Sequence, residues 1–226
     1  MGCELKLKKK GSKVPYCSYS TAIKRLTLLK RFFPQSVSVN ELSKETGVSR
    51  SRHSSELSFL ITLNLVERPQ RGQYRISERG LSLLDPKNSE DQKKEIIKQT
   101  LIEIYHDELI GLFREDEYDR DKFIKIFKTS IGGNWQDYFA QKTFTRFLSF
   151  IRFAGYLEGK GSNTVLNVIS CTNCDELVNR KAKFCSECGG SITSKKLEQK
   201  CPKCGEMINT TWKFCEYCGD DLKSAL

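Results

Sequence analysis

The sequence predicts a mainly α chain with small β elements, an α+β fold: two helical domains, each closed by a short β hairpin, then two compact cysteine modules. Three observations predict it. Apolar residues recur at the spacing of one helix face in several separate runs. A helix leading into Asn64-Leu65-Val66-Glu67 has a counterpart leading into Gly155-Tyr156-Leu157-Glu158, and a turn and a strand follow each. Eight of the ten cysteines fall in two copies of one pattern. The boundaries read as a basic N-terminal arm over 1–15, a first domain over 16–85, a second over 93–169 and the cysteine region over 170–226.

The arm holds five lysines and one glutamate. It reads either as a disordered solvated end or as an arm that follows phosphates. Cys3 and Cys17 stand apart from the other cysteines and read as free thiols.

Thr21 to Phe33 is amphipathic, with Ala22, Ile23, Leu26, Leu29 and Phe33 on one face, and Pro34 stops it. Ser36–Val39 reads as a short β segment, and Asn40 as the cap of the next helix. Gly47 ends that helix in the left-handed geometry glycine tolerates. Ser49 or Ser51 caps a further helix to about Leu63, with Leu57, Leu60, Ile61 and Leu63–Leu65 inward. Strands at Val66–Arg68 and Tyr74–Ser77 and a short helix to Leu84 complete the domain.

This order resembles the winged helix-turn-helix family of transcription regulators. The resemblance rests on the run Val39–Ser51, on Leu65-Val66-Glu67-Arg68 and on Tyr74-Arg75-Ile76-Ser77-Glu78-Arg79-Gly80. It implies that the second helix of the pair enters the major groove by its N-terminal end while the wing touches the backbone. The nucleic-acid-binding residues it implies are Ser49, Arg50, Arg52, His53 and Ser54 on the helix, and Arg68, Arg71, Gln73 and Arg75 on or beside the wing. Arginine suits this role, offering a bidentate fork to guanine or phosphate, and a helix N-terminus is itself an anion site. The competing reading is a set of solvated arginines on a domain that packs against protein.

In the second domain, Lys93 to Phe113 reads as a helix with Ile97, Leu101, Tyr105 and Leu109 inward, and the acidic run from Glu115 as a loop capping a helix over Arg120–Thr129. A turn at 132–134 leads to a strongly apolar helix over Lys142–Ala154, then Tyr156-Leu157-Glu158, a turn and a strand over 164–168. The parallel with the first domain predicts a second winged-helix fold. Its third helix carries Phe144, Phe147, Leu148, Phe150, Ile151 and Phe153, with a narrow polar face of Lys142, Thr145, Arg146, Ser149 and Arg152. So apolar a helix reads as core or homodimer interface rather than groove reader.

Cys171-x₂-Cys174 and Cys185-x₂-Cys188 are separated by ten residues, and Cys201-x₂-Cys204 and Cys215-x₂-Cys218 repeat that spacing thirty residues later. A C-x₂-C knuckle aims two thiolates at one point, and two knuckles complete a tetrahedral Cys₄ shell. Disulfides, a redox pair and an iron–sulfur cluster fit less well: a secretory leader and a βαβ pattern are missing, and cluster spacings are less symmetric. Two structural Zn²⁺ ions are expected, one at 171–188 and one at 201–218. With every ligand position filled by protein, neither is expected to catalyse. The region resembles double zinc-ribbon modules, which implies this fold and metal but leaves its partner open.

The formal charge of +10 is uneven: +4 over residues 1–15, +5 over 16–90, balanced over 91–170 and +1 over 171–226. Zinc ligation by eight thiolates makes the last region net acidic. Any polyanion contact is therefore expected in the first ninety residues. His53 and His106 lack a nucleophile or acid partner, and no catalytic constellation is visible. The reading is a non-enzymatic, cytoplasmic, zinc-containing DNA-binding protein and transcription regulator without a membrane span. The first domain contacts duplex DNA, the second scaffolds or dimerises, and the ribbons dock a protein partner. The alternative is an adaptor in a larger assembly, its winged helices and ribbons all binding protein.

Overall fold

The computed structural model describes residues 13–115, 117–131, 135–159, 164–192, 198–200, 203–204, 207–209 and 218–219. The arm over 1–12 with Cys3, the expected turns over 132–134 and 160–163, and Cys201 and Cys215 lie outside them. The chain divides into two compact units, Met1–Ser170 and Cys171–Leu226. The fold is mixed, mostly helical, with small antiparallel sheets.

The first unit opens with α1 (Tyr19–Lys30), whose first turn is capped by the Ser18 hydroxyl accepting from the Thr21 N–H. It ends before the expected Phe33. The N–H groups of Arg31, Phe32 and Phe33 return to Leu28, Leu29 and Lys30, so the chain tightens into three-residue turns ahead of Pro34. After β1 (Val37–Ser38), α2 (Val39–Thr46) begins earlier than the expected cap at Asn40. Ser38 and Glu41 form a reciprocal capping box there, which satisfies two orphan N–H groups where Asn40 alone could satisfy one. Gly47 takes φ +68° and Ser49 caps α3 (Arg50–Thr62).

Two further strands, β2 (Val66–Glu67) and β3 (Gln73–Ile76), lead to α4 (Glu78–Leu84). The sheet order is β1-β3-β2, antiparallel throughout, with Val37 opposite Tyr74 and Val66 opposite Ile76. Gly80 lets α4 press on the turn after α3: a Cβ there would lie 2.4 Å from the Leu65 carbonyl oxygen.

α5 (Glu90–Phe113) starts from a Ser89–Gln92 capping box and bends at Tyr105 (φ −119°, ψ 27°). Asp119 opens α6 (Arg120–Ile131) by accepting from the N–H groups of Asp121 and Lys122. α7 (Asp137–Phe153) starts ahead of the expected Lys142. The expected strand over 164–168 is broken into β5 (Val165–Leu166), which pairs with β4 (Leu157–Glu158), and β6 (Val168–Ser170).

These two halves share one core within the unit. Phe144, Phe147 and Phe150 of α7 are all at most 1% exposed, so its aromatic face is interior. Phe59 of α3 meets Phe150 edge-to-face at 5.6 Å, and Tyr19 of α1 stacks on Phe153 at 3.8 Å. Residues 13–15, assigned above to the arm, are tied down: the Tyr105 O–H donates to the Lys13 carbonyl, Arg146 to the Pro15 carbonyl, and Lys13 pairs with the buried Glu108. Cys17 is a buried free thiol, pushed up to about 12 by desolvation. Among the described residues no helix is long and apolar enough to cross a membrane.

Candidate nucleic-acid interface and metal centre

The start of α3, the start of α2 and the β2–β3 hairpin enclose an open hollow of about 440 Å³. Arg50 and Ser54 line it from the helix, Arg68 and Arg71 from the hairpin, and Ser38, Asn40 and Tyr74 from the floor between them. Four of the nine residues expected to touch nucleic acid thus converge on one concave surface. Arg50 donates to the Asn40 side-chain oxygen at 3.3 Å, Arg68 lies over the Tyr74 ring at 5.6 Å, and Arg71 is exposed. Three cationic groups around an open hollow with a polar floor suit an anionic ligand of some width.

The other five are placed differently. His53 is fully buried, which corrects its expected place in the groove. It stands on the face of α3 that also buries Leu57 and Leu60, four and seven residues on, and its Nε2 lies 2.8 Å from the Thr46 hydroxyl. Desolvation first, then the neighbouring Arg25, lowers its pKa. The Ser49 hydroxyl is engaged as helix cap. Arg75 is paired across the hairpin with Glu67 at 2.7 Å, which cancels its charge locally. Gln73 is half-buried within β3. Arg52 is exposed but its Nε donates to Glu56 at 2.9 Å. Asn40, read from the sequence as a helix cap, Tyr74, read as part of a strand, and the buried Glu56 were not among the residues expected at the interface; the i,i+4 spacing of Arg52 and Glu56 was the available signal.

The second unit holds the metal centre. The sulfur atoms of Cys171, Cys174, Cys185 and Cys188 all lie within 4.8 Å of one another. Cys171 and Cys188 are 3.7 Å apart, and Cys174 and Cys185 are 3.6 Å apart. A tetrahedron with Zn–S bonds of about 2.3 Å has S···S edges of about 3.8 Å, so the four thiols fit this ion.

Each knuckle is built alike. The N–H groups of Cys171 and Cys185 donate to Glu176 and Gly190, and their carbonyls accept from Asp175 and Gly189. Asp175 and Gly189 supply the left-handed turn at φ +60° and +68°. Backbone N–H groups of Asn173 and Gly190 reach the Cys171 and Cys188 sulfurs, each at 3.4 Å, which favours thiolate. Hydrogen bonds from Asn173, then Gly190, pull Cys188 down to about 6. At Cys174 a backbone bond at Glu176 lowers the pKa, but desolvation and the neighbouring thiols outweigh it and raise it to about 12. A dication between the four sulfurs is what lets all of them ionise together.

The second cysteine set is described only at Cys204 and Cys218. Around it the thirty-residue repeat of the sequence returns in the backbone. β6 and β7 (Leu177–Asn179) are matched by β8 (Glu198–Lys200) and β9 (Met207–Asn209), and Gly189 by Gly219 at φ +70°. β8 and β9 pair antiparallel, with Gln199 opposite Ile208.

Residues 169–219 match the Double zinc ribbon family. The match spans both cysteine sets and fits the geometry of the first. Neither a curated protein nor a solved structure matches the chain. Cys171, Cys174, Cys185 and Cys188 therefore form a zinc-binding site in a zinc ribbon.

Proposed function

We propose that the chain is a zinc-containing duplex-DNA-binding protein acting in transcription regulation, in which residues 19–84 form a winged helix with α3 as reader and the β2–β3 hairpin as wing. One observation carries this reading: Arg50 and Ser54 at the start of α3 meet Arg68 and Arg71 of the hairpin around one hollow. Helix order, the β1-β3-β2 sheet and the basic surplus of residues 16–90 support it. The test is affinity for random duplex DNA over a salt series. Binding should fall with a slope of about −0.9 per neutralised phosphate in log K against log salt. Affinity independent of salt sinks the reading.

The same proposal gives the ribbons two Zn²⁺ per chain, the second held by Cys201, Cys204, Cys215 and Cys218. Elemental analysis of protein purified without added metal should find two zinc ions; one ion would leave the second set without a structural role. A further observation favours protein docking by the ribbon: Phe184, directly before Cys185, is 65% exposed. An exposed aromatic on a metal-fixed turn is the kind of anchor partner surfaces bury. Deleting residues 170–226 should then abolish partner binding while duplex affinity at matched salt is retained. The second helical half acts as scaffold. The aromatic face that suggested a homodimer is covered within the chain.

A further inference from the structure

We propose that Glu56 is a positioning residue for the nucleic-acid contact, holding Arg52 so that its guanidinium presents one fixed edge to a backbone phosphate. The inference rests on the DNA-binding reading above. Glu56 is 2% exposed, yet it lies on α3 only two turns from the helix start. A carboxylate so far from water needs cationic partners, and it has two. Arg25 of α1 donates its Nε to one oxygen at 2.5 Å, and Arg52 donates its Nε to the other at 2.9 Å.

The two arginines are not alike. The Arg25 side chain is 11% exposed and by itself balances the carboxylate charge, whereas the Arg52 side chain is 65% exposed. The cluster of one carboxylate and two guanidiniums therefore carries a net positive charge, and its solvent-facing member is Arg52. Binding through Nε occupies one side of that guanidinium. Its two terminal nitrogens have no partner among the described residues, and together they form the fork that grips a phosphate.

An exposed i,i+4 pair on a helix ordinarily contributes little, because both side chains lose freedom to make it. Here one partner is already immobile, being buried and held by Arg25, so the loss falls on Arg52 alone. Arg52 then meets DNA with its rotamer chosen, and less entropy is lost on binding. Arg25 lies behind the helix and never touches the ligand in this arrangement. A bystander pair makes the opposite prediction, since deleting an acid near the interface then tightens DNA binding by simple charge.

The experiment compares the full chain with Arg52→Ala, Arg52→Lys and Glu56→Gln on random-sequence duplex DNA across a salt series, with thermal melts of each. Arg52→Ala should bind several-fold more weakly, with a salt slope shallower by about one unit. Arg52→Lys keeps the charge but loses the held fork, and should lose most of the same affinity. Glu56→Gln should also weaken binding, although it removes a negative charge. Arg52→Lys at wild-type affinity, or a folded Glu56→Gln that binds more tightly, overturns the proposal. Should Glu56→Gln fail to fold, Arg52→Lys decides alone, since Arg52 is exposed. A wild-type chain without salt-dependent binding overturns the DNA reading itself, whatever the variants do.

Discussion

At the end of α3 the Leu63 N–H returns to the Phe59 carbonyl, the Leu65 N–H to the Leu60 carbonyl, and Asn64 takes φ +54°. At the end of α7 the Ala154 N–H returns to Phe150, the Tyr156 N–H to Ile151, and Gly155 takes φ +79°. The two corners are one structure built twice, and their matched residues Phe59 and Phe150 even touch. Reading back from the corner, His53 of α3 stands where α7 has Phe144, and Glu56 where it has Phe147. Arg50 and Arg52 stand where α7 has the uncharged Gln141 and Thr143.

On the DNA-binding reading proposed above, the difference is what separates a reader helix from a scaffold helix on the same backbone. α7 fills its inner face with phenylalanine and spends its cations at home: Arg146 on the Pro15 carbonyl, Arg152 on the Thr164 hydroxyl. α3 places polar groups on its inner face, pairs the His53 Nε2 with Thr46 and Glu56 with Arg25, and keeps exposed arginines near its start.

The comparison breaks most visibly at Phe147. It is fully buried against Tyr105 and Phe127, so Phe147→Ala should cost about 3–5 kcal/mol in urea unfolding. A loss under about 1 kcal/mol would mean that the α7 face is not core. Next in size is the charge asymmetry. Arg50→Ala with Arg71→Ala should weaken duplex binding about tenfold or more, each contact removed flattening the salt slope by about 0.9. Arg146→Ala with Arg152→Ala should weaken it less. If the second pair proves the more damaging, reader and scaffold are exchanged.

Much of this was legible beforehand for local reasons. The zinc site followed from spacing, because a C-x₂-C pair has one way to aim two thiols together. Gly47 followed from the φ that glycine allows, and the bond that a serine cap makes narrowed the start of α3 to Ser49 or Ser51, of which Ser49 is the cap. What stayed hidden depends on distant partners. Asn40 and Ser38 compete for one cap, and only Glu41 reaching back decides it. The docking of Lys13, Pro15 and Tyr19 on the second half joins residues more than ninety apart, as the separations of 92, 131 and 130 show. His53 was half legible: its spacing to Leu57 and Leu60 marks an inward face, but polarity argued for the outside.

His53 also sharpens the contrast with Phe144 through pH. Burial lowers its folded pKa, so as pH falls the unfolded chain takes up this proton first. The stability tied to neutral His53 is fully present above the unfolded histidine range and is lost as pH drops through it. His53→Gln places an amide where the Nε2 lies, and so keeps a partner for Thr46 without titrating. Between pH 7 and 5, roughly the window around an unperturbed histidine, wild type should lose more stability than the variant. Parallel pH profiles would show that His53 is solvated when folded.

The smallest effect tests whether the two corners are held by backbone geometry or by packing. Asn64 and Gly155 hold the same left-handed turn, and a Cβ at Gly155 would meet nothing within 4 Å. A substitution there is thus charged only to the backbone. Gly155→Asn copies the first corner and should change stability by a few tenths of a kcal/mol, as should Asn64→Gly in the other direction. Gly155→Ala, with no side chain to bond locally, should cost roughly 1 kcal/mol. Urea unfolding of the three variants reads these differences directly. If Ala proves as harmless as Asn at 155, the second corner does not depend on its left-handed residue, and its likeness to the first lies in packing alone.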